Sequence, residues 1–387
     1  MPQPRRHATP RTLILTLFTL MAPIRSEAGE HLGGYPLDES HLSSPFWRSR
    51  TQFGESVLFL KEPDRATADG TLLLRPATVR RVRNAQTGEV YEAGRDYTID
   101  APGRRLVATE GSRIPRLDRS ELTKPPRSPG SIPHKLGDPG TWIRYQENGF
   151  HALQVEVDYD ADEAWPGIRP AHPDAALARA IAKLKAKGEF NLVVTGDSIS
   201  TGANASRKEL PPHQPAYPEL LAAGLEAKYG ARVQLTNVSV GGATVAGAMS
   251  SIDAVVAARP DLVIVAYGMN DVASHDTAKY EDGVRRVIEA VRARAPETDF
   301  ILVATSRGNP DWVHTPADQF PRFLEALSRL RGDHIALLDL TTLYGEILAR
   351  KRFIDLTGNG VNHPNDWGHR FHAQAFLDLL TDDGATP

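Results

Sequence analysis

Four short stretches of this chain hold side chains suited to acyl chemistry. "TGDSIS" places Ser198 behind Gly196 and Asp197, and "NVSVGGAT" contains Gly241 and Gly242. "YGMND" carries Asn270 and Asp271, and "TGNGVNHPND" carries His363. A serine hydroxyl becomes an effective nucleophile when an imidazole takes its proton during attack. The oxyanion formed in that attack is stabilised by N–H donors, which a glycine turn and a side-chain amide both supply. Each stretch also has an ordinary reading on its own. Ser and Asp favour turns and caps, paired glycines make strand-to-helix turns, and Asn is common at strand ends. Thiol chemistry is excluded, because the 387 residues contain no cysteine, and disulfides and Cys-based zinc sites go with it.

Two cofactor readings were weighed against these residues. A metal site can be drawn from His363, Asp366, His369 and His372. Pro364 holds His363 outside the last helix, however, and Asp366 reads as that helix's N-cap, so no metal is expected. The run "GGATVAG" lacks the G-x-G-x-x-G order of a dinucleotide site. No cofactor is implied.

The elements that must position these residues are legible in the second half. From Asp174 onward, apolar runs ("NLVVTG", "VQLTNVSV", "DLVIVAYG", "DFILVATS", "IALLDL") alternate with amphipathic stretches such as "YPELLAAGLEAKYG" and "YEDGVRRVIEAVRARA". Fully apolar strands alternating with helices predict a parallel sheet covered on both faces. The expected fold is a flavodoxin-like, three-layer α/β domain with five parallel strands. Ligands sit beyond the carboxyl ends of such strands. Ser198, Gly242 and Asn270 follow the first three strands, and His363 precedes the last helix, so all four converge on one sheet edge.

These blocks, "GDS", "NVSVGG", "GMND" and the "HP" of 363–364, resemble in content and order the four sequence blocks of the SGNH, or GDSL-type, hydrolases. The resemblance implies the same α/β sheet and an ester hydrolase without metal or organic cofactor. It implies that Ser198 is the nucleophile and also an oxyanion donor through its backbone N–H. Gly242 and Asn270 would be the other oxyanion donors and His363 the base. The family's usual final block has an aspartate three residues before the histidine, and here that position is Gly360. Asp355, Asn359 or a backbone carbonyl remain as groups to orient His363, and Asp355 is preferred because the loop's glycines could fold it back towards the ring. A Ser–His dyad is the alternative.

The first half carries a different signature. Between about residues 55 and 160, short runs such as "SVLFL", "ATVRRVR", "DYTID" and "ALQVEVDYD" are separated by turn-forming residues. "APG" between "DYTID" and "RRLVA" reads as a hairpin. A small all-β sandwich or jelly-roll-like domain is expected, with a proline- and arginine-rich loop over 112–140. Arg80, Arg81 and Arg83 read as a solvated strand edge.

The N-terminus pairs a basic start, "MPQPRRHATPR", with the apolar run "TLILTLFTLMAPI" and then "RSEAGE". This pattern predicts a signal peptide over 1–28, cleaved after Ala28, and hence a secreted or periplasmic protein. The expected division is then a β domain over 29–160, a linker over 161–175 and the hydrolase domain over 176–387. No later segment is apolar enough to cross a membrane, and the net charge of −3 gives no reason to expect nucleic acid as a partner. An exported hydrolase with an appended β domain resembles the carbohydrate esterases, and that resemblance implies an acylated small molecule or glycan as substrate, above all O-acetyl groups of a polysaccharide or glycoconjugate. Arg307 and Trp312 in "SRGNPDW" are candidate substrate contacts. An O-acetyltransferase, a lipase- or arylesterase-type enzyme, and an inactive glycan-binding protein remain alternatives. The sequence leaves oligomeric state open.

Overall fold

A computed structural model describes residues 24–26, 31–32, 35, 39–134, 140–170, 175–207 and 209–381. The leader expected over 1–28 lies outside the described residues apart from β1 (Ile24–Ser26). After α1 (Glu39–Ser43) the chain forms β2 (Thr51–Lys61), β3 (Asp69–Thr71), β4 (Pro76–Asn84), β5 (Val90–Tyr91), β6 (Tyr97–Asp100) and β7 (Arg105–Ala108). The short strands β8 (Arg116–Asp118), β9 (Thr123–Lys124), β10 (Ser131–Ile132) and β11 (Trp142–Arg144) precede β12 (Gln154–Ala161). The predicted hairpin forms, with Asp100 paired to Arg105 across the "APG" turn.

The larger strands make one eight-stranded sheet, in the order β5-β4-β12-β2-β3-β7-β6 with β8 beside β2, and β9 to β11 form a small sheet of their own. All but the β2–β8 pairing are antiparallel in that large sheet. The all-β character expected of this half is present. Its packing partner is the α/β half, where a sandwich would place a second large sheet. The alternation along β2 explains this. Val57 and Phe59 join the main core, which continues into the helices of the second half, while Leu58 and Leu60 pack with Phe150 and Ile354 on the other face. The arginines expected at a solvated edge instead pair with β12 carboxylates, Arg80 with Asp160, Arg81 with Asp158 and Arg83 with Glu156. Their strand β4 lies one strand in from the edge, so its charges meet partners across the ladder.

The second half comprises α2 (Ala178–Lys185), β13 (Glu189–Gly196), α3 (Tyr217–Tyr229), β14 (Arg232–Asn237), α4 (Ile252–Ala257), β15 (Leu262–Ala266), α5 (Thr277–Arg292), β16 (Asp299–Ala304), α6 (Gln319–Ser328), β17 (Ile335–Asp339), α7 (Leu340–Leu348) and α8 (Asp366–Leu380). Five strands are parallel, ordered β14-β13-β15-β16-β17, and β1 adds a sixth, antiparallel strand beside β14. Cleavage after Ala28 would remove β1 and leave β14 as the edge. The chain steps one way from β13 to β14 and the other way from β15 onward. With right-handed crossovers, that reversal places helices on both faces and opens a crevice at the carboxyl ends of the central strands. Among the described residues, no helix is long and apolar enough to cross a membrane.

Every residue of α8 is buried. Its polar side chains are accordingly paired. Arg370 donates to the Gly54 carbonyl at 2.5 Å, and Asp378 accepts from the Trp47 indole at 2.6 Å. The helix is capped by Asn365, whose side chain accepts from the Gly368 N–H at 3.1 Å. Asp366, expected as the cap, is the first helical residue, and its carboxylate accepts from the Ser206 N–H at 2.7 Å.

Candidate active site

Ser198 stands just beyond the carboxyl end of β13 and is 9% exposed. The turn that presents it is tied down locally. The Asp197 carboxylate accepts from the Ile199 N–H at 3.0 Å, and the Ser198 carbonyl accepts from Ala203 N–H at 3.0 Å and the Thr201 hydroxyl at 2.8 Å. Asn237, at the end of β14, donates its amide to the Ser200 carbonyl at 2.7 Å. The turn that carries Ser198 is thus fastened to the neighbouring strand.

His363 reaches this serine from the loop before α8. Its Nε2 lies 2.8 Å from Ser198 Oγ, across 165 residues of sequence. The loop closes on itself: the Asn359 carboxamide oxygen accepts from the N–H groups of Val361 and Asn362 at 2.9 and 3.1 Å, and Gly358 N–H donates to the His363 carbonyl at 3.0 Å. The first half of the chain holds it from below. Gln154 donates to the carbonyls of Ile354 and Thr357 at 3.0 and 2.8 Å, and Asn365 donates to Ser56 Oγ at 2.8 Å.

Asp355, the preferred orienting acid, does not face the imidazole. Its carboxylate accepts from the Leu58 N–H at 2.7 Å and the Arg352 N–H at 3.2 Å, with Lys351 Nζ at 3.8 Å, in a fully buried setting. The 3₁₀ turn Phe353–Asp355 packs against β2 and carries the carboxylate there. Two amides meet His363 Nδ1 instead. Asn204 Oδ1 is 2.6 Å away and Asn359 Nδ2 is 3.0 Å away. Asn204 was not singled out by sequence reasoning, and "TGANAS" offers no motif that marks it. Its left-handed backbone, φ 63°, is a conformation asparagine tolerates better than most residues.

Gly242 lies in a turn after β14 with φ 75°, which suits glycine, and a side chain there would meet open space. Among the described residues, no backbone carbonyl accepts from the N–H of Ser198 or of Gly242. Asn270 follows β15. One N–H of its amide donates to the Ala243 carbonyl at 2.9 Å, which joins it to the Gly242 turn and leaves the other N–H to point elsewhere. Asp271 completes that junction by accepting from the Val245 N–H at 3.1 Å. Ser198, Gly242 and Asn270 therefore emerge from three adjacent strands as the spacing led one to expect.

The electrostatics follow from burial. Withdrawal from water pushes the Asp197 carboxyl up to about 7 and Asp271 up to about 6, the nearby Asp271 charge adding to the effect on Asp197. Burial likewise pushes the His363 imidazolium down to about 4, against an opposing pull from the Glu147 carboxylate. With His363 as a general base, the role the family resemblance implies, activity would be lost as pH falls through that value, because a base works in its neutral form. We expect kcat/KM for an ester substrate to show an acidic limb near pH 4, well below the ordinary histidine value of 6.5. A pH–rate series with its limb at the ordinary value would contradict this environment for the ring.

The remaining candidates divide. Arg307 is turned onto α7, where its Nε donates to the Thr341 carbonyl at 2.9 Å and its guanidinium lies against Gly345. It is a packing residue in this fold, because the helix supplies both the carbonyl and the glycine gap. Trp312 belongs to a loop bound to the histidine loop, since Asn309 donates to the carbonyls of Val361 and Gly360 at 2.7 and 2.9 Å. Its indole N–H has no acceptor among the described residues. His369 and His372 pack inside α8, the first 3.3 Å from the Ala203 carbonyl and the second 3.0 Å from the Tyr344 hydroxyl.

Comparison with known proteins bears on this arrangement. Residues 194–371 match the model of the GDSL-like Lipase/Acylhydrolase family. A GDSL-like esterase, Rv1075c of Mycobacterium tuberculosis (strain ATCC 25618 / H37Rv), is 30% identical over 151 residues, which is 38% of this chain and 44% of that protein. The chain thus spans less than half the length of this relative. Among solved structures, a two-domain esterase (CEX) active on acetylated mannans aligns with a TM-score of 0.44 and 21% identity, covering 57% of each chain. A catalytic mutant of Axe2, an acetylxylan esterase from Geobacillus stearothermophilus, aligns with a TM-score of 0.41 and 19% identity over 49% of this chain and 94% of that one.

Proposed function

We propose that this protein, whose residues 194–371 match the model of the GDSL-like Lipase/Acylhydrolase family, is a serine esterase acting through Ser198 and His363. The observation that carries the reading is the 2.8 Å approach of His363 Nε2 to Ser198 Oγ. In the first step Oγ attacks the ester carbonyl while Nε2 takes its proton. The proton then passes to the departing alcohol as the tetrahedral intermediate collapses to an acyl-serine. Water then attacks the acyl carbonyl as Nε2 takes its proton, and collapse of the second tetrahedral intermediate breaks the bond to Oγ, which takes the proton back from Nε2 as the acid leaves. The N–H groups of Ser198, Gly242 and Asn270 receive the oxyanion in both steps, and removal of one such donor typically costs about 3 kcal/mol of barrier.

The substrate in this proposal is an O-acetyl group on a polysaccharide or glycoconjugate. The support is the polar and aromatic character of the segments bordering the histidine loop. Tyr145, Gln146, Glu147 and Asn148 run alongside it, with the Gln146 N–H donating to the Asn359 carbonyl at 3.3 Å, and Trp312 lies in the loop that Asn309 ties to it. Aromatic faces and amide or carboxylate groups suit sugar rings better than a long acyl chain. Export, with the leader cleaved after Ala28, and the division into segments 29–160, 161–175 and 176–387 belong to the same reading. Purified protein is expected to release acetate from acetylated glycans much faster than fatty acid from long-chain esters. A preference for the long-chain esters would overturn the substrate assignment and leave the esterase chemistry standing.

A further inference from the structure

Resting on the reading of His363 as the general base, we propose that Asn204, Asn148 and Glu209 form an amide relay that orients this histidine and selects its working tautomer, in place of an aspartate. Asn148 is delivered by the first half of the chain, which makes that half part of the catalytic apparatus.

The relay's direction is decided at its outer end. The Glu209 carboxylate only accepts, so the Asn148 carboxamide must turn its Nδ2 towards it. Asn148 Oδ1 then faces inward and accepts from Asn204 Nδ2 at 2.6 Å. Asn204 Oδ1 is left facing His363 Nδ1 at 2.6 Å, where it accepts. The imidazole proton is thereby held on Nδ1, and the Nε2 lone pair is directed at Ser198 Oγ. Asn204 itself is buried, and its backbone carbonyl lies 2.9 Å from His151 Nε2, so the segment 148–151 grips it at two points.

The competing contact shows why such a device is needed. Asn359 Nδ2 lies 3.0 Å from the same Nδ1 and is held in that sense, because its carboxamide oxygen accepts from the N–H groups of Val361 and Asn362. If Nδ1 accepted from Asn359, the ring proton would sit on Nε2 and the histidine could not take a proton from serine. Asn204 tips that balance. The conventional position for an orienting acid is closed: a side-chain carbon at Gly360 (φ 91°) would lie 2.6 Å from the Arg144 carbonyl and 2.9 Å from the Phe150 ring. The segment that excludes a residue there is the one that carries Asn148.

The test uses Asn204→Gly and Asn148→Gly, since glycine accepts the left-handed backbone at both positions (φ 63° and 52°) without strain. Asn204→Gly leaves Asn359 as the sole partner of Nδ1. We expect kcat to fall on the order of 10³-fold with KM little changed, as wrong-tautomer variants do. Imidazole ¹⁵N shifts, with the His363 signal assigned by its loss in His363→Gln, are expected to move from the Nδ1–H to the Nε2–H pattern. Asn148→Gly should give a smaller loss and a mixed pattern. Asn204→Asp should keep most of the activity and move the acidic limb of kcat/KM upward by about one pH unit or more, because a carboxylate stabilises the imidazolium. The other titratable groups around the ring, Glu147, His369 on α8, and Asp366 beneath Ser206 with His151 beside it, are unchanged in all three variants. A tautomer unmoved by Asn204→Gly, with kcat within about threefold of the parent, would refute the relay. Because the ¹⁵N pattern is read without turnover, an inactive parent protein with the expected shift would count against the esterase reading and leave the relay intact.

Discussion

Ser198→Ala is expected to lower kcat for an acetyl ester by on the order of 10⁵-fold while leaving the fold unchanged. The size follows from the geometry. Among the described residues the imidazole, 2.8 Å from Ser198 Oγ, has no second hydroxyl within hydrogen-bond reach, and the remaining oxyanion donors stabilise only whatever slow attack water makes unaided. The substitution removes one oxygen from a residue that stands in a turn beyond β13, so the melting temperature should stay close to that of the parent. Covalent labelling by an active-serine phosphonate should disappear together with turnover. Full activity in this variant would remove Ser198 from the mechanism and with it the proposed function. Labelling that persists without turnover would place the reactive group on another residue.

The second large effect is on stability. Lys351 is fully buried between the two halves. Its ammonium lies 2.6 Å from Glu55 Oε1 and 2.6 Å from the Thr71 carbonyl, 3.8 Å from Asp355, and 5.5 Å from the centre of the Trp367 ring. Glu55 also accepts from the Tyr159 hydroxyl at 2.6 Å and the Leu73 N–H at 2.7 Å. Lys351→Met keeps most of the volume and removes the cation that two buried carboxylates share. Breaking one side of a buried pair typically costs about 3–5 kcal/mol, because an uncompensated charge stays behind. Equilibrium urea unfolding is expected to show a loss of that order, and the double variant Lys351→Met/Glu55→Gln should regain part of it. A loss below about 1 kcal/mol would mean that this cluster behaves like a surface pair.

Much of the catalytic half was legible before the fold was seen, and the reason is local. Ser198, Gly242 and Asn270 each follow an apolar strand within a few residues, so the strand pattern alone sends them to the same sheet edge. His363 was legible because a histidine beside a proline in a glycine-rich loop has no packing role to explain it. The antiparallel half was legible as strands, but its partner was not. Whether β2 meets a second sheet or the helices of the other half depends on which surfaces meet, and alternation within one strand is silent on that. The same applies to Arg307, where an arginine in a loop after a strand looks available until α7 is seen to receive it.

The sequence by itself brought Ser198, Gly242, Asn270 and His363 to one sheet edge, because the first three follow apolar strands and the last precedes the final helix, and its resemblance to the SGNH hydrolases implied the roles proposed for them here. It also showed that the usual acid is absent at Gly360. Only the tertiary structure decided what stands in its place. Asp355 was the choice because glycines in the loop could fold a charged group back towards the ring, yet packing against β2 turns it away. Asn204, Asn148 and Glu209 are brought together from two separate segments, and carboxamides give no sign of their orientation until an acceptor-only neighbour sets it. Hydrogen-bond polarity is a property of the assembled network, which is why the third member of this site emerged only with the fold.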